Sequence, residues 1–315
     1  AATPAAMQAA GQVMSEAEKP RATFVLKRGQ YDLPTDSVGF GTPAAVFAYP
    51  ANLPKNRLGL ARWTFDPENP LVARVAVNRI WQEIFGAGFV KTSDNFGNQG
   101  ELPSHPELLD WLAVDFQEHS WDMKYLVKKI VTSATYRQSA TASKKKIEAD
   151  PENRLLSRAP RFRLSPEMIR DTWLATSGML YPGIGGASVK PYQPAGLWED
   201  TNAGEGRGSL TKYVQDTSYK LYRRSLYTFY KRTMPHPFMT TFDAPIRDNC
   251  TVKRQRTNTP LQALNLMNDP QMLEASRVLA EKLLKNKDLD LDEKIEKAFQ
   301  RIVCRQPSGE EMAVL

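Results

Sequence analysis

Residues 250–270 read CTVKRQRTNTPLQALNLMNDP and set Lys253, Arg254 and Arg256 directly before a helix start. Thr259 stands three residues ahead of Gln262 with Pro260 between them, the spacing of a capping box, so the helix begins there. A helix N-terminus already carries partial positive charge, and cations beside it call for an anion. Two sources compete. Asp243 and Asp248, just upstream in TFDAPIRDN, would take bidentate arginine pairs and make the stretch an internal ion network. In the other reading Arg254 and Arg256 join the exposed amides around Asn258 and Thr259 in a pocket for a sulfate, phosphate or sugar carboxylate.

Other residues offer other chemistry. His105, with Asp94 and Glu101 nearby in sequence, has the makings of an acid and base, although a histidine in a helix's first turn is as readily a packing residue. Trp198 and Tyr192 belong to an aromatic set with Tyr219, Tyr222, Tyr227 and Tyr230 that would stack on sugar rings or simply pack the interior. His119 reads as a helix-end residue and His236, between two prolines, as a loop residue. No two His or Cys residues have metal-ligand spacing, so no metal is expected. C-x-x-C-H, G-x-S-x-G, P-loop and dinucleotide patterns are all absent, so no cofactor is expected within the chain. Cys250 and Cys304 could pair, but two thiols so far apart in sequence read more simply as independent.

The elements that must position these residues are mostly helices. After an Ala-rich lead, TFVLKRGQYDLP (23–34) has the content of a strand closed by proline, and 34–56 reads as an extended loop. LVARVAVNRIWQEIFG carries apolar residues at helical spacing, with Asp66 as its expected cap and Arg74, Asn78 and Gln82 as a solvated stripe. Ser104 and Glu107 have capping-box spacing for a second helix, and MKYLVKKIVTSATY forms a third. TASKKKIEAD reads as a solvated linker, and a second DPEN at 150–153 as another helix start. PEMIRDTWLATSGML follows, capped by Ser165. Residues 183–218 form a long irregular excursion, and RRSLYTFYKRT alternates like a strand. LQALNLMNDPQMLEASRVLAEKLLK, interrupted near Pro270, and LDEKIEKAFQRIV complete a mainly α-helical (α+β) chain with a few short strands.

Of the formal +7, residues 123–256 hold 24 Lys and Arg against 11 Asp and Glu, while the flanks hold 18 against 24. A basic middle suits nucleic acid, an anionic sugar polymer, an acidic partner or the chain's own acidic flanks. No nucleic-acid motif accompanies the charge, so nucleic acid is not an expected partner. No apolar run reaches the length of a membrane helix. The organisation expected is a lead over 1–56, with one strand and an extended loop, and a mainly helical domain over 57–315 that is cut at its C-terminus.

Several stretches together resemble a known family: NRLGLARWTFDPENPLVARVAVNRIWQEIFG, SDNFGNQGELPSHPELLDWLAVDF, IVTSATYRQSA, DPENRLLSRAPRFRLSPEMIRD, GGASVKPYQPAGLWED and LYRRSLYTFYKRTMPHPFMTTFDAPIRDNCTVKRQRTNTPLQALNLMNDPQ. They are similar to the planctomycete-type C-terminal domain of unknown function, found in exported proteins that often also carry a planctomycete cytochrome c domain. The likeness runs from about residue 21 to the end. It implies an exported protein, periplasmic or at the cell surface, that serves polysaccharide use with a c-type cytochrome domain or protein. Haem would be carried on that partner. Motif positions include Arg74, Asn78, Asp94, His105, Arg170, Asp171, Trp198, Arg223, Asp243, Arg254, Arg256 and Asn258, with no role attached to any of them. The reading reached is an accessory or binding module for an anionic or sugar-like ligand. The alternatives are a carbohydrate-active oxidoreductase or hydrolase using His105 and Asp94, and a structural assembly protein.

Overall fold

The computed structural model describes residues 13–19, 21–201 and 212–315. The first part of the Ala-rich lead and residues 202–211 of the 183–218 excursion lie outside the described residues. The chain is mainly helical, and it divides into two compact units, one up to Pro160 and one from Arg161.

The first unit opens with a hairpin. β1 (Thr23–Leu26) pairs antiparallel with β2 (Pro34–Val38), Thr23 opposite Val38 and Leu26 opposite Pro34. The strand expected to run to Pro34 therefore turns back earlier. Arg28 and Gly29 take positive φ (52° and 76°), and Lys27 N–H donates to Leu33 O at 3.0 Å, which closes the turn. Pro34 begins the second strand, where its missing donor costs no ladder bond.

α1 (Arg57–Thr64) is capped by Asn56, whose side chain accepts from Gly59 N–H. α2 (Val72–Phe85) and α3 (Pro106–Glu118) pack on each other, joined by α4 (Met123–Val131). Val77, Trp81 and Phe85 of α2 meet Leu109, Leu112 and Phe116 of α3 and Leu126 and Ile130 of α4. Each such side chain contributes about 1.5–3 kcal/mol by leaving water. Two expected caps are replaced. Asp66 accepts from Glu68 N–H in its own turn, because a 66–69 turn and Pro70 intervene before α2 starts after Leu71. The Ser104 hydroxyl pairs with His105 Nδ1 at 2.9 Å, leaving His105 itself as the N-cap residue of α3.

The stripe expected to be solvated is largely buried, since Asn78 is wholly inaccessible and Gln82 nearly so. The Asn78 amide accepts from Val90 N–H (2.9 Å) and donates to Val90 O (3.1 Å), replacing a backbone partner for both groups. The lysine-rich linker forms α5 (Lys144–Ala149), because Ser143 caps it by accepting from Lys146 N–H. The second DPEN opens no helix. Asp150 there accepts from Arg154 and Leu155 N–H, and the chain turns through Asn153 and Leu156 at positive φ.

The second unit is built on α6 (Pro166–Ser177), which lies against α10 (Pro270–Leu284). α7 (Leu197–Thr201), α8 (Pro237–Thr241), α9 (Pro260–Asn268), α11 (Leu291–Val303) and α12 (Gly309–Val314) complete it. Ser165 caps α6, and Gly178 ends it in the left-handed conformation. Asp269 ends α9 and caps α10 by accepting from the N–H groups of Gln271 and Met272, which is the break expected at Pro270. RRSLYTFYKRT is not a ladder strand: it makes isolated bridges at Arg223 and Thr228 around a 3₁₀ turn over Ser225–Tyr227. Side chains of α6 take several of its backbone groups: Arg170 donates to Leu221 O and Arg223 O, and Asp171 accepts from Ser225 N–H. Cys250 and Cys304 are exposed free thiols.

Candidate functional site

At the start of α9 the capping box is complete: Thr259 Oγ1 accepts from Gln262 N–H, and Gln262 Oε1 accepts from Thr259 N–H at 3.1 Å. Of the cations before it, Arg254 meets a carboxylate of the protein, and the two upstream aspartates serve other arginines. Arg254 donates to Glu167 Oε2 at 2.7 Å, and Glu167 occupies the first turn of α6, where negative charge also suits the helix dipole. Asp243, at positive φ (64°), accepts from Thr257 N–H (2.8 Å), from the Thr257 hydroxyl and from the Arg163 guanidinium. Asp248 lies 3.7 Å from Arg232, and the Arg256 guanidinium sits 4.4 Å over the Phe162 ring. Asn258 and Thr259 are exposed beside this network. Glu167, the partner of Arg254, was legible only as a helix-start acid. No local spacing links it to a residue 87 positions away.

The most buried charge in this unit is Arg170, 3% exposed. Its guanidinium donates to Gln271 Oε1 (2.6 Å), Leu221 O (2.7 Å), Arg223 O (2.9 Å) and Ser225 Oγ (3.1 Å). Neighbouring Asp171 accepts from both the N–H and the hydroxyl of Ser225. Arg223 in turn donates to Ala187 O at 2.8 Å and lies over the Tyr227 ring. Burial pushes Arg170 down to about 10, against the pull of Asp171 and Asp269, so it stays charged at neutral pH. Arg170, Asp171 and Arg223 thus pin the 221–228 segment in place.

Trp198 is 1% exposed, against Tyr213 (5.1 Å) and Phe229 (5.8 Å), with the ammoniums of Lys190 and Lys231 over its ring. Tyr192 gives its carbonyl to His236 Nε2–H at 2.7 Å, and burial raises its phenol above the ordinary value. The Tyr222 hydroxyl donates to Glu274 Oε1 at 2.8 Å. Burial lowers the buried His236 below its ordinary range, so the ring is neutral at pH 7. Both aromatic residues therefore serve the interior of their unit in this conformation.

In the first unit the structure brings Ser104 to His105, with Phe89 edge-on to the imidazole at 6.1 Å; Asp94 is exposed, and no hydrogen bond or ion pair joins it to His105. An open groove of about 620 Å³ lies elsewhere in this unit, lined by Phe47, Ala48, Tyr49 and Pro50 on one side and Asp66, Pro67 and Glu68 on the other. Its walls are held. Phe47 stacks on Trp63 at 6.2 Å while the indole Nε1–H donates to Phe47 O at 3.1 Å. The Tyr49 hydroxyl donates to Pro54 O at 2.6 Å. The buried Gly59 makes room for that bond, because a Cβ there would overlap both of its oxygens. Across the groove, Asp66 N–H donates to Trp63 O and Asn69 N–H to Asp66 O, which fixes the acidic turn. The sequence signals for this groove, FAYP and DPEN, read only as loop and helix start.

Among the described residues no group of three or more His, Cys, Asp or Glu could hold a metal ion, and no helix is long and apolar enough to cross a membrane. A family model described as PSD1, protein of unknown function (DUF1553), matches residues 56–315. Neither a curated protein nor a solved structure matches the chain.

Proposed function

Because the chain belongs to the PSD1 family of proteins of unknown function (DUF1553), its activity has to be read from its own surface, and we propose a binding module that takes a sugar-like ligand in the groove of the first unit. The observation that carries this reading is the presence of two aromatic side chains, Phe47 and Tyr49, with two carboxylates, Asp66 and Glu68, on one concavity. Its volume lies within the range of roughly 300–1,000 Å³ usual for small-ligand sites. A sugar has an apolar C–H face for the rings and hydroxyl donors for the carboxylates. Ligand capture by Arg254 and Arg256 has less support, since Glu167 and Phe162 already occupy them. An export location and a c-type cytochrome partner belong to the proposal through the family resemblance alone. The groove straddles the first matched residue, with Phe47–Pro50 before it and Asp66–Glu68 after it.

Calorimetry with a panel of oligosaccharides on the full chain tests this. A bound oligosaccharide whose affinity falls about tenfold in Phe47→Ala is the expected result, the loss of about 1.4 kcal/mol of ring contact. Binding untouched by both Phe47→Ala and Tyr49→Ala would remove the groove from consideration.

A further inference from the structure

We propose that His236 is an acid-released latch: a proton on its Nδ1 frees α8 from the segment at Tyr192 and uncovers the apolar cluster of Phe238, Met239 and Phe242. His236 is 8% exposed, and its Nε2–H donates to Tyr192 O at 2.7 Å. A carbonyl can only accept, so Nε2 carries the hydrogen and Nδ1 of the neutral ring is a bare lone pair. Among the described residues Nδ1 is buried without a hydrogen-bond partner. A proton there makes a second buried donor with nothing to receive it, and water satisfies it only if the contact opens.

The surroundings give the ring no counter-charge strong enough to keep the latch shut. Burial opposes the imidazolium most and Arg170 of α6 adds to it, against the Tyr192 bond and Asp269 at the end of α9. The other α6 carboxylates are engaged, Glu167 by Arg254 and Asp171 by Ser225. α9, which also packs on α8, carries no charged side chain. α8 is the element able to let go: its five residues are too few to stand as a helix alone, and Phe238, Met239 and Phe242 hold it against Ile169, Trp173 and Leu266. Closed, the ring titrates below 6.5; open, it regains the ordinary value, so opening gains up to about tenfold for each pH unit below 6.5.

The test is hydrogen exchange on the full chain at about pH 7.5 and about pH 5.5, corrected for the intrinsic exchange rate. The reporters are the N–H groups of Thr240, Phe242 and Ala244, bonded to the carbonyls of His236, Phe238 and Met239. Met179 and Leu180, both bonded to Leu174 O at the end of α6, are the reference within the same unit. We expect opening at the reporters to rise several-fold at the lower pH, at most about tenfold, with the references unchanged. In His236→Gln, whose amide keeps a donor for Tyr192 O and does not titrate, the rise should vanish. Should that variant fail to fold, the His236 ring resonance of the unsubstituted protein replaces it, and the rise must level off at the pH where that ring titrates. Reporters and references rising together would overturn the latch, because the whole unit would then be losing stability. A rise that persists in His236→Gln, one that levels off elsewhere, or no rise at all would overturn it as well.

Discussion

Replacing Arg170 with methionine keeps most of the side-chain volume and deletes the guanidinium that holds the 221–228 segment. Four acceptors receive N–H groups from Arg170, but they do not suffer equally. Leu221 O keeps its bond from Gln271 Nε2 at 2.9 Å, and the Ser225 hydroxyl still donates to Asp171. Arg223 O and Gln271 Oε1 are left without Arg170, and a buried unpaired acceptor costs about 1–3 kcal/mol. Relief of the desolvation that lowers the arginine's pKa offsets part of this. The net loss expected is about 3 kcal/mol, at the lower end for breaking a buried charged contact. The segment reports on itself, since Tyr181 N–H donates to Tyr222 O (2.9 Å) and Val189 N–H to Tyr227 O (2.7 Å). Hydrogen exchange at those two amides should accelerate by roughly 100-fold in Arg170→Met, the equivalent of that energy in the opening equilibrium when closing is fast relative to exchange. Acceleration of less than about tenfold would mean that packing, rather than the arginine, fixes the segment.

Three further outcomes follow from the geometry. A double-mutant cycle on Arg254→Met and Glu167→Gln, read by urea unfolding, should give a coupling of only about 0.5–1 kcal/mol, because the pair is partly exposed and screened (36% and 23% of the two side chains). A coupling near zero would detach the cations from α6. For His236 the folded pKa lies below the ordinary 6.5, so as pH falls through 6.5 the unfolded chain takes a proton that the folded chain refuses. Stability should decline from that point down to the folded value, by at most about 1.4 kcal/mol per pH unit, and the urea midpoint of His236→Gln should lose this slope. Gly59→Ala should break the Tyr49–Pro54 hydrogen bond and destabilise the first unit by about 1–3 kcal/mol; unchanged oligosaccharide affinity in a folded Gly59→Ala protein would show that Tyr49 does not shape the groove.

The resemblance marks Asn78, Arg170, Asp171, Arg223, Asp243 and Arg254 without assigning roles, and each makes a polar contact to a distant part of its own unit. Asn78 serves Val90, Arg170 and Asp171 serve 221–225, and Asp243 joins Arg163 to Thr257. Arg170, Asp171 and Arg223 thus hold irregular backbone that has no ladder partner of its own.

What the sequence determined by itself is what lies within about four residues of chain. The Thr259–Gln262 capping box, the Ser165 cap, the Gly178 stop, the break at Pro270 and the buried face of α2 all depend on neighbours that the helix geometry brings together regardless of the rest. Where a short side chain had two local partners, the spacing misled: Asp66 chose its own turn and Ser104 chose His105. The tertiary structure alone decided which carboxylate answers which arginine. It also decided that RRSLYTFYKRT forms isolated bridges, that the polar stripe of α2 is buried, and that FAYP and DPEN face one groove. The reason is physical. A hydrogen bond inside one helical turn is dictated by covalent spacing, whereas the partner of a long charged side chain is whichever acceptor the packed backbone leaves within reach, and Glu167 lies 87 residues from Arg254 while less than 3 Å away.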